Sequence, residues 1–325
     1  KGILEENVFF LSSQKEKIKK IESLQLDFFI DDLGEVLALI ESKTIKKIHF
    51  QGSINSSTDN IKCIDTWEEI SNYIEGYKDL ISLSKNIETI INDKIIKSSE
   101  IKRGINSKVY KIETKFKKYA LKIYPRILND GHDRLDTEIN ALNILEDFQN
   151  TTELIGYDKK KNIAIFDWIE GKYILEINEK VLQESINFIN NLSNINKNKI
   201  VNLSNAKESC LRVADLILQI DSRLDLIAKT RNKKVLNFIK NIFLRTYYNS
   251  VNYAEKHLSN SSFNEALEEK YQILSPSDFG FHNAILKKNN KVFFIDFEYF
   301  GWDDPAKLIN DFIWHPGMKM TDKQK

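Results

Sequence analysis

The chain has 325 residues, 42 % of them hydrophobic, which is enough to bury more than one core and favours two domains over one. Its 48 basic and 47 acidic residues give a formal net charge of +1, so the chain lacks the strong net field that draws proteins to nucleic acid or anionic membranes. We therefore expect neither nucleic acid nor a membrane as a partner, and composition alone sets no oligomeric state.

Residues 1–95 alternate short apolar runs with helical patterns, which predicts a partial Rossmann-like α/β domain. Apolar spacing and turn signals assign its elements. Strands are predicted at residues 7–11, 27–30 and 47–50, helices at 15–24, 66–76 and 79–93, and a polar loop at 51–60.

Residues 96–170 change to the alternating pattern of antiparallel strands, interrupted by one helical stretch. The predicted strands are residues 101–103, 108–114, 118–124, 153–157 and 162–168, and the predicted helix is 133–148. This segment is expected to form a sheet-rich lobe.

Residues 171–325 are mainly helical as far as about residue 271, with apolar residues at helical spacing in 181–192, 211–226 and 235–253. A strand-rich segment, 285–297, follows them. The predicted fold class is therefore α/β for the first domain plus α+β for a second domain of two lobes.

The two cysteines, Cys63 and Cys210, form neither a Cys-x-x-Cys pair nor a cluster with metal-ligand spacing. This usage favours a reduced, cytoplasmic location. No apolar run approaches the roughly 18 residues needed to span a bilayer, and the N-terminus lacks a secretory pattern. Because the chain begins at Lys1 and ends in a polar run, we expect it to be part of a longer protein.

Three polar residues near the C-terminal end carry the strongest chemical signal. Asn283 follows Asp278 by five residues, and Asp296 follows Asn283 by thirteen. Phosphoryl transfer needs one carboxylate to orient the attacking hydroxyl, and an amide and a second carboxylate to hold magnesium on the nucleotide phosphates. The spacing predicts Asp278 as the catalytic base and Asn283 and Asp296 as metal ligands.

Residues 292–298 are predicted to continue as one strand, in which a side-chain period of two places Phe294, Asp296 and Glu298 on one face. An acid in so apolar a strand is costly to bury without a cation, which makes Glu298 a further metal candidate. The alternative is that both acids face water from an edge strand.

The string Asp278-Phe279-Gly280 resembles the metal-binding motif of protein kinases, but its context differs. That assignment requires a catalytic loop roughly eighteen residues upstream, and residues 257–262 contain no aspartate. The offsets are consistent only with Asp278 as base and Asp296 as metal ligand.

Upstream residues follow the order of a nucleotide-binding lobe. Ala120 and Lys122 share a strand face, so that Ala120 can cover a purine while Lys122 reaches the phosphates. Glu138 lies sixteen residues later on a predicted helix and is expected to pair with Lys122. A tight turn before this strand can cover phosphates with its backbone amides. The candidates in that turn are Gly104, Asn106 and Ser107.

As a set, these residues resemble the aminoglycoside phosphotransferase and choline kinase superfamily, relatives of protein kinases, across about residues 96–325. The family signature His-Gly-Asp-x-x-x-x-Asn corresponds here to residues 276–283, and the metal motif to 295–298. Asp167 and Trp168 correspond to the hinge between the lobes, whose backbone binds adenine. The resemblance implies a bilobal protein-kinase-like fold, with lobes at 96–170 and 171–325.

The same resemblance implies the activity. ATP and Mg²⁺ would be the cofactors, and the acceptor would be a hydroxyl of a small molecule such as a sugar, an aminoglycoside-like compound or an amino alcohol. Aromatic residues near the metal motif, Tyr299 and Trp302, together with Asp303, can line the acceptor pocket and would suit a quaternary ammonium. The alternative for these aromatic residues is a place in the core.

Two departures from the family pattern bear on activity. Pro276 replaces the histidine that braces the catalytic loop, and Leu308 stands where the family has an aspartate. Asp311, one helical turn later, can take that second role. Base, amide and metal carboxylate are all retained, which favours an active enzyme over the alternative of a nucleotide-binding pseudokinase or regulatory module.

Residues 28–32 resemble the final motif of haloacid-dehalogenase-type phosphatases, in which an apolar strand ends in paired aspartates, here Asp31 and Asp32. Ser12 would match the hydroxyl motif, yet no Asp-x-Asp nucleophile motif precedes it. We expect this part to be a truncated phosphatase or a structural remnant rather than a working one. Capping of a strand-to-helix turn by the aspartates is the other interpretation.

Overall fold

The computed structural model describes residues 5–50, 61–101, 107–125, 132–197, 200, 203–318 and 320–325. The chain divides into two compact units, Lys1–Lys85 and Asn86–Lys325. The boundary falls inside one helix, α3 (Trp67–Ile91), about ten residues before the position expected from the sequence.

The first unit contains a parallel three-stranded sheet in the order β1 (Phe28–Asp31), β2 (Lys46–Phe50), β3 (Ile61–Ile64). Helices α1 (Gln14–Ser23) and α2 (Gly34–Leu39) belong to this unit, and α3 follows the sheet in sequence. Among the described residues, its core includes two small clusters. The first contains Ile21, Leu37, Ile40 and Ile45, and the second contains Ile48, Ile64 and Ile70.

Several predictions for the first unit need correction. Residues 8–11 are not a strand: no described strand pairs with them, and Phe10 is 94 % exposed. The predicted helices 66–76 and 79–93 are one continuous helix, α3, because a single glycine, Gly76, costs only about 1 kcal/mol inside a helix. Helix α2 and strand β3 were not predicted, and residues 51–60 lie outside the described part of the chain.

Asp31 has a local role in this unit. Its Oδ1 accepts a hydrogen bond from the Leu33 backbone N–H at 2.9 Å, and its Oδ2 accepts one from Lys17 Nζ at 2.6 Å. These contacts favour a carboxylate that caps the strand-to-helix turn. The likeness to haloacid-dehalogenase-type phosphatases stays a prediction.

The second unit begins with an antiparallel five-stranded sheet in the order β4 (Lys97–Glu100), β5 (Lys108–Glu113), β6 (Lys118–Ile123), β8 (Ile163–Asp167), β7 (Leu154–Asp158). Helix α4 (Arg134–Ile144) lies between β6 and β7 in sequence and starts at the N-cap Asp133. The strand predicted at 101–103 is wrong at Ile101; residues 102 and 103 lie outside the described residues. One of the two edge strands is β4, which was not predicted because its polar sequence gives no apolar signal.

The rest of the second unit is mainly helical. Its helices are α5 (Glu179–Ser193), α6 (Val213–Ile227), α7 (Lys233–Phe238), α8 (Leu244–His257), α9 (Asn260–Asn264) and α10 (Pro305–Trp314). A π-helical turn, Ile239–Phe243, separates α7 from α8 within the predicted helix 235–253. Of the helices that the structure describes, none combines the length and apolar content needed to cross a bilayer.

Five short strands surround the segments that carry the candidate site. Strands β9 (Lys172–Tyr173), β11 (Ala284–Leu286) and β12 (Val292–Phe294) form one antiparallel sheet. Strands β10 (Ile273–Ser275) and β13 (Gly301–Asp303) form a second.

An aromatic cluster anchors the two segments that carry the predicted acids. The Phe188 ring on α5 lies 5.6 Å from that of Phe279 and 4.5 Å from that of Phe294, between ring centroids, and Phe297 packs beside it. Phe279 and Phe297 are buried and follow Asp278 and Asp296 directly in sequence. Burial of these two rings fixes the backbone from which both carboxylates project.

Candidate active site

Two serines hold the loop that carries Asp278. The fully buried Ser275 hydroxyl accepts a hydrogen bond from the Ser277 N–H at 3.0 Å, and the Ser277 hydroxyl donates to the Lys207 carbonyl. Ser277 has a φ of 65°, a left-handed conformation that an L-residue adopts at a cost. Sequence reasoning missed both serines, because the partner Lys207 lies far away in sequence and a lone serine gives no pattern.

Asp278 is fixed by two neighbours from the same loop. Its Oδ1 accepts from His282 Nε2 at 2.8 Å, and its Oδ2 accepts from Asn283 Nδ2 at 3.1 Å. Burial acts to raise the pKa of Asp278, but these hydrogen bonds outweigh burial and lower the pKa below its ordinary value. The carboxylate is therefore ionised across the physiological range.

Asn283 also has a defined orientation. Its amide nitrogen donates to both the carboxylate and the carbonyl of Asp278, the latter at 3.0 Å. The amide oxygen is thus the side-chain atom of Asn283 that can bind a metal. The Asn283 carbonyl accepts from the Ile295 N–H at 3.0 Å, which ties the loop to the segment carrying Asp296.

Lys122 on β6 lies at the centre of a cluster of acids. Its buried Nζ is 2.7 Å from Glu138, 2.5 Å from Asp296 and 2.9 Å from Glu298. Burial alone would lower the pKa of this ammonium group, but the surrounding carboxylates raise it well above its ordinary value. Lys122 is therefore a permanent positive charge, paired with Glu138 as the sequence predicted.

Glu138 connects helix α4 to the Asp296 segment. Its Oε2 accepts from the Tyr124 hydroxyl at 2.6 Å, and its Oε1 accepts from the Phe297 N–H at 3.1 Å. Burial raises the pKa of Glu138, and the Lys122 charge only partly opposes that effect. Tyr124 was not predicted as a site residue, because nothing in its sequence context distinguishes it from a core tyrosine.

Asp296 and Glu298 converge for a different reason from the one predicted. Strand β12 ends at Phe294, so the period-of-two argument does not apply to either acid. Asp296 adopts a φ of 69°, and the next N–H, that of Phe297, bonds to Glu138 rather than to a strand. The turn, not a strand face, brings both carboxylates to Lys122.

Glu298 does not face water. Its side chain is 4 % exposed, and it accepts from the Ser107 hydroxyl at 2.9 Å. The side chain of Asp296 is 38 % exposed, which leaves it accessible from the cavity that it lines. The alternative of two water-facing acids on an edge strand is therefore wrong for Glu298.

The donor chemistry of this cluster fits a divalent cation. Glu138, Asp296 and Glu298 each offer a carboxylate oxygen, and the three atoms lie within 4.8 Å of one another. Two cationic side chains contact these three carboxylates: Lys122, and Arg134, whose Nε is 3.7 Å from Glu298. Among the described residues the negative charges therefore exceed the positive ones. Carboxylate and amide oxygens are the ligands that Mg²⁺ prefers.

The structure brings the predicted residues together in one cavity of about 420 Å³. Gly104 and Asn106 are the exceptions, since they lie outside the described residues. Apolar side chains that the sequence did not single out, among them Val109 and Ile285, complete the walls. The predicted residues that line the cavity are Ser107, Ala120, Lys122, Glu138, Asp167, Trp168, Asp278, Asn283, Asp296 and Glu298.

A second, larger cleft of about 1290 Å³ lies among the helices and also reaches Asp278 and Tyr299. Trp302 and Asp303, predicted for an acceptor pocket, do not line it. Asp303 is fully buried, where it accepts hydrogen bonds from the N–H groups of Cys210 and Asp304. Asp303 is therefore part of the buried interior rather than of the cleft wall, and burial raises its pKa.

The position after Asp304-Pro305 also differs from the expectation. Leu308 is buried in the main core, and Asp311 lines the larger cleft. Asp311 forms an ion pair with Lys307 and does not belong to the group of acids around Lys122.

No protein-family model matches this chain, and no curated protein matches it significantly. Among solved structures, spectinomycin phosphotransferase APH(9)-Ia in complex with ADP and spectinomycin is 13 % identical, with a TM-score of 0.51 over 70 % of this chain and 72 % of that one. A thermostable mutant of aminoglycoside phosphotransferase APH(4)-Ia is 12 % identical, with a TM-score of 0.50 over 74 % and 80 %. Choline kinase LicA from Streptococcus pneumoniae is 16 % identical, with a TM-score of 0.49 over 75 % and 77 %.

The first two similarities show the fold. The predicted resemblance to aminoglycoside phosphotransferases is therefore confirmed for the kinase-like fold. They do not test the predicted Rossmann-like first domain.

Proposed function

We propose that the chain is an ATP- and Mg²⁺-dependent phosphotransferase that acts on a hydroxyl group of a small molecule. The observation that carries the proposal is the position of Asp278, which lines both cavities. One of them contains the buried ammonium and the carboxylate cluster, and the other opens among the helices. A carboxylate at that junction can hold an acceptor hydroxyl against a phosphoryl donor.

The smaller cavity is suited to a nucleoside triphosphate. Ala120 and Phe166 offer small and apolar surface for a purine, and residues 167–169 line the same cavity. Lys122, held by Glu138, would steady the phosphates, and Ser107 lies on the same side through its bond to Glu298. Asn283, Asp296 and Glu298 would hold magnesium, which supplies neutralisation of the charge that develops on the phosphates.

The lowered pKa of Asp278 defines its role more closely. A carboxylate whose pKa lies below its ordinary value is a weaker base than a free aspartate, so its main contribution is to accept the hydrogen bond of the acceptor O–H and fix the oxygen in line. The transition state of phosphoryl transfer is loose and needs little early proton removal. As the bond between the acceptor oxygen and the γ-phosphorus forms, the bond from that phosphorus to the β–γ bridging oxygen would break and ADP would leave, while the hydroxyl proton passes to Asp278.

The acceptor class that we propose is a sugar, an aminoglycoside-like compound or an amino alcohol. The larger cleft combines acids and bases with aromatic side chains, so it suits a polar molecule with several donor groups. Binding of ADP and spectinomycin by the solved relative APH(9)-Ia supports this class.

We also propose a cytoplasmic location and a division into a first domain and two kinase-like lobes at 96–170 and 171–325.

The test is ATP consumption with Mg²⁺ across a panel of sugars, aminoglycosides and amino alcohols. Asp278→Asn should lower turnover by about 10²–10⁴-fold while ATP binding, measured by calorimetry, is retained. Full turnover by the variant would refute the role of Asp278.

The alternative, a nucleotide-binding module without transfer activity, is favoured by one sequence feature, Pro276 in place of the motif histidine. ATP binding without consumption on any acceptor would support it. The serine contacts at 275 and 277 argue against it, because they hold the loop without that histidine.

A further inference from the structure

Two histidine rings stack beside Asp278. The centroids of His282 and His315 are 4.1 Å apart, and the rings are inclined by only 13°. Their Nε2 atoms lie 2.8 Å and 3.8 Å from the same oxygen, Asp278 Oδ1. His282 belongs to the catalytic loop, whereas His315 follows the end of α10, so two separate segments meet at one carboxylate oxygen.

Hydrogen bonds define how both rings face Asp278. The Gly317 N–H donates to His315 Nδ1 at 3.0 Å, so a neutral His315 carries its proton on Nε2, toward the carboxylate. His282 donates through Nε2, and its buried Nδ1 has no hydrogen-bond partner among the described residues. A proton at that Nδ1 would be an unsatisfied buried donor, which favours the Nε2–H form.

The surrounding chain leaves space for these rings and little more. A Cβ at Gly280 would lie 2.7 Å from the His282 ring, and a Cβ at Gly317 would lie 3.1 Å from the His315 ring. The buried Met318 contacts the loop through its sulfur, 3.1 Å from the Phe281 nitrogen. Residues 315–318 are therefore packed directly against the catalytic loop.

A metal ion is a poor occupant of this cluster, although Asp278, His282 and His315 offer three ligand atoms within 4.8 Å. Metal binding through Nε2 requires a free lone pair there. In His315 the lone pair is on Nδ1, where it accepts the Gly317 N–H. The arrangement presents N–H donors to a carboxylate instead.

We propose that His282 and His315 are positioning residues for Asp278. His282 holds Oδ1 by a direct hydrogen bond, and His315 fixes the His282 ring by stacking, so that rotation of the carboxylate is restricted and its remaining lone pairs face the acceptor hydroxyl. This inference rests on the proposed phosphotransferase function. A misplacement of about 1 Å at a reacting group costs up to about 10²-fold in rate, which sets the scale of the effect.

The kinetic test compares four variants, with Mg-ATP as donor and the best acceptor of the panel, or water if none is used. His282→Ala should lower kcat by about 10–100-fold with little change in the KM for ATP. His282→Gln restores an N–H near the position of Nε2 and should recover most of that loss. His315→Ala should lower kcat less, and the double variant should lose little more than His282→Ala, because the two residues act as a unit.

His257→Ala is the matched control, since His257 stacks on Tyr253 in α8 and does not line either cavity. It should leave kcat unchanged. Wild-type kcat in His282→Ala, or no recovery by His282→Gln, would overturn the inference.

A second measurement is independent of activity. The ¹⁵N chemical shifts of the histidine rings report which nitrogen carries the proton, and both His282 and His315 should show the Nε2–H form. Absence of ATP turnover in the wild type would refute the proposed function. The chemical shifts would still show, independently of activity, whether both rings present an Nε2–H to Asp278. A Nδ1–H form in either ring would overturn the positioning role.

Discussion

The two sides of the candidate site are held by different forces. On the sheet side, a buried ammonium is surrounded by three carboxylates, so charge attraction and burial act together. On the loop side, Asp278 is half-exposed and its carboxylate accepts hydrogen bonds from His282 and Asn283. The backbone just before it is held by the bond from the Ser277 N–H to the Ser275 hydroxyl. The sheet side should therefore respond to substitution mainly in stability and nucleotide binding, and the loop side mainly in turnover.

The largest expected effect tests the sheet side. Lys122→Met removes the only partner charge that contacts all three carboxylates among the described residues, and it leaves Glu138 and Glu298 buried without it. Breaking a buried ion pair in this way costs about 3–5 kcal/mol. Urea unfolding should show that loss, and calorimetry should show no measurable ATP binding.

Lys118→Met is the matched control, because Lys118 lies on the same strand and pairs with Glu170 at the surface. Its unfolding midpoint should stay close to that of the wild type, since exposed pairs contribute little. Equal destabilisation by the two variants would contradict the distinction between the two kinds of ion pair.

A smaller effect is expected on the loop side from Ser277→Ala. The change removes the hydroxyl that donates to the Lys207 carbonyl, so the free energy of unfolding should fall by about 1 kcal/mol. Turnover should also fall, because the loop that carries Asp278 is held less firmly. Ser277→Gly loses the same hydroxyl, but glycine adopts the observed φ of 65° without strain.

The glycine variant should therefore be more stable than the alanine variant by roughly 1 kcal/mol. Ser193→Ala removes an exposed hydroxyl that donates to the Asn190 carbonyl within α5, and it should change neither stability nor turnover. An alanine variant with wild-type turnover, or a glycine variant less stable than alanine, would contradict the bracing role.

The same contrast explains what the sequence could predict. Sequence spacing placed Lys122, Glu138, Asp278, Asn283 and Asp296 in one nucleotide site, and the structure has them lining one cavity. These signals are short motifs on neighbouring elements, and the local pattern also gave β5, β6 and β8 within a residue or two.

The supports of these residues could not be predicted, because each depends on a contact between distant parts of the chain. Tyr124 reaches Glu138 across the sheet-helix packing, and Ser277 reaches Lys207. His315 lies at the end of α10, far from Asp278 in sequence, and its Nε2 is 3.8 Å from the Asp278 carboxylate. The apolar pattern also predicted two strands wrongly. Residues 8–11 pair with no described strand. The strand predicted to reach Glu298 ends at Phe294, before the backbone turns at Asp296.

The smallest effect concerns acid pH, where the two sides should differ in sign. The pKa of Asp278 in the folded chain lies below its ordinary value of 3.8, because the hydrogen bonds from His282 and Asn283 outweigh burial. In the window just below 3.8 the unfolded chain binds more protons, so stability rises with pH there and is lost as pH falls through the folded pKa. Asp278→Asn should reduce that slope.

Glu138 has the opposite shift, since burial outweighs the attraction of Lys122 and raises its folded pKa above the ordinary value of 4.5. In the window just above 4.5 the folded chain binds more protons, so this group makes stability fall as pH rises. Glu138→Gln should remove that fall. Urea unfolding at a series of pH values from about 3 to 6 measures both slopes, and changes of the same sign in the two variants would show that both acids are held by the same balance of forces.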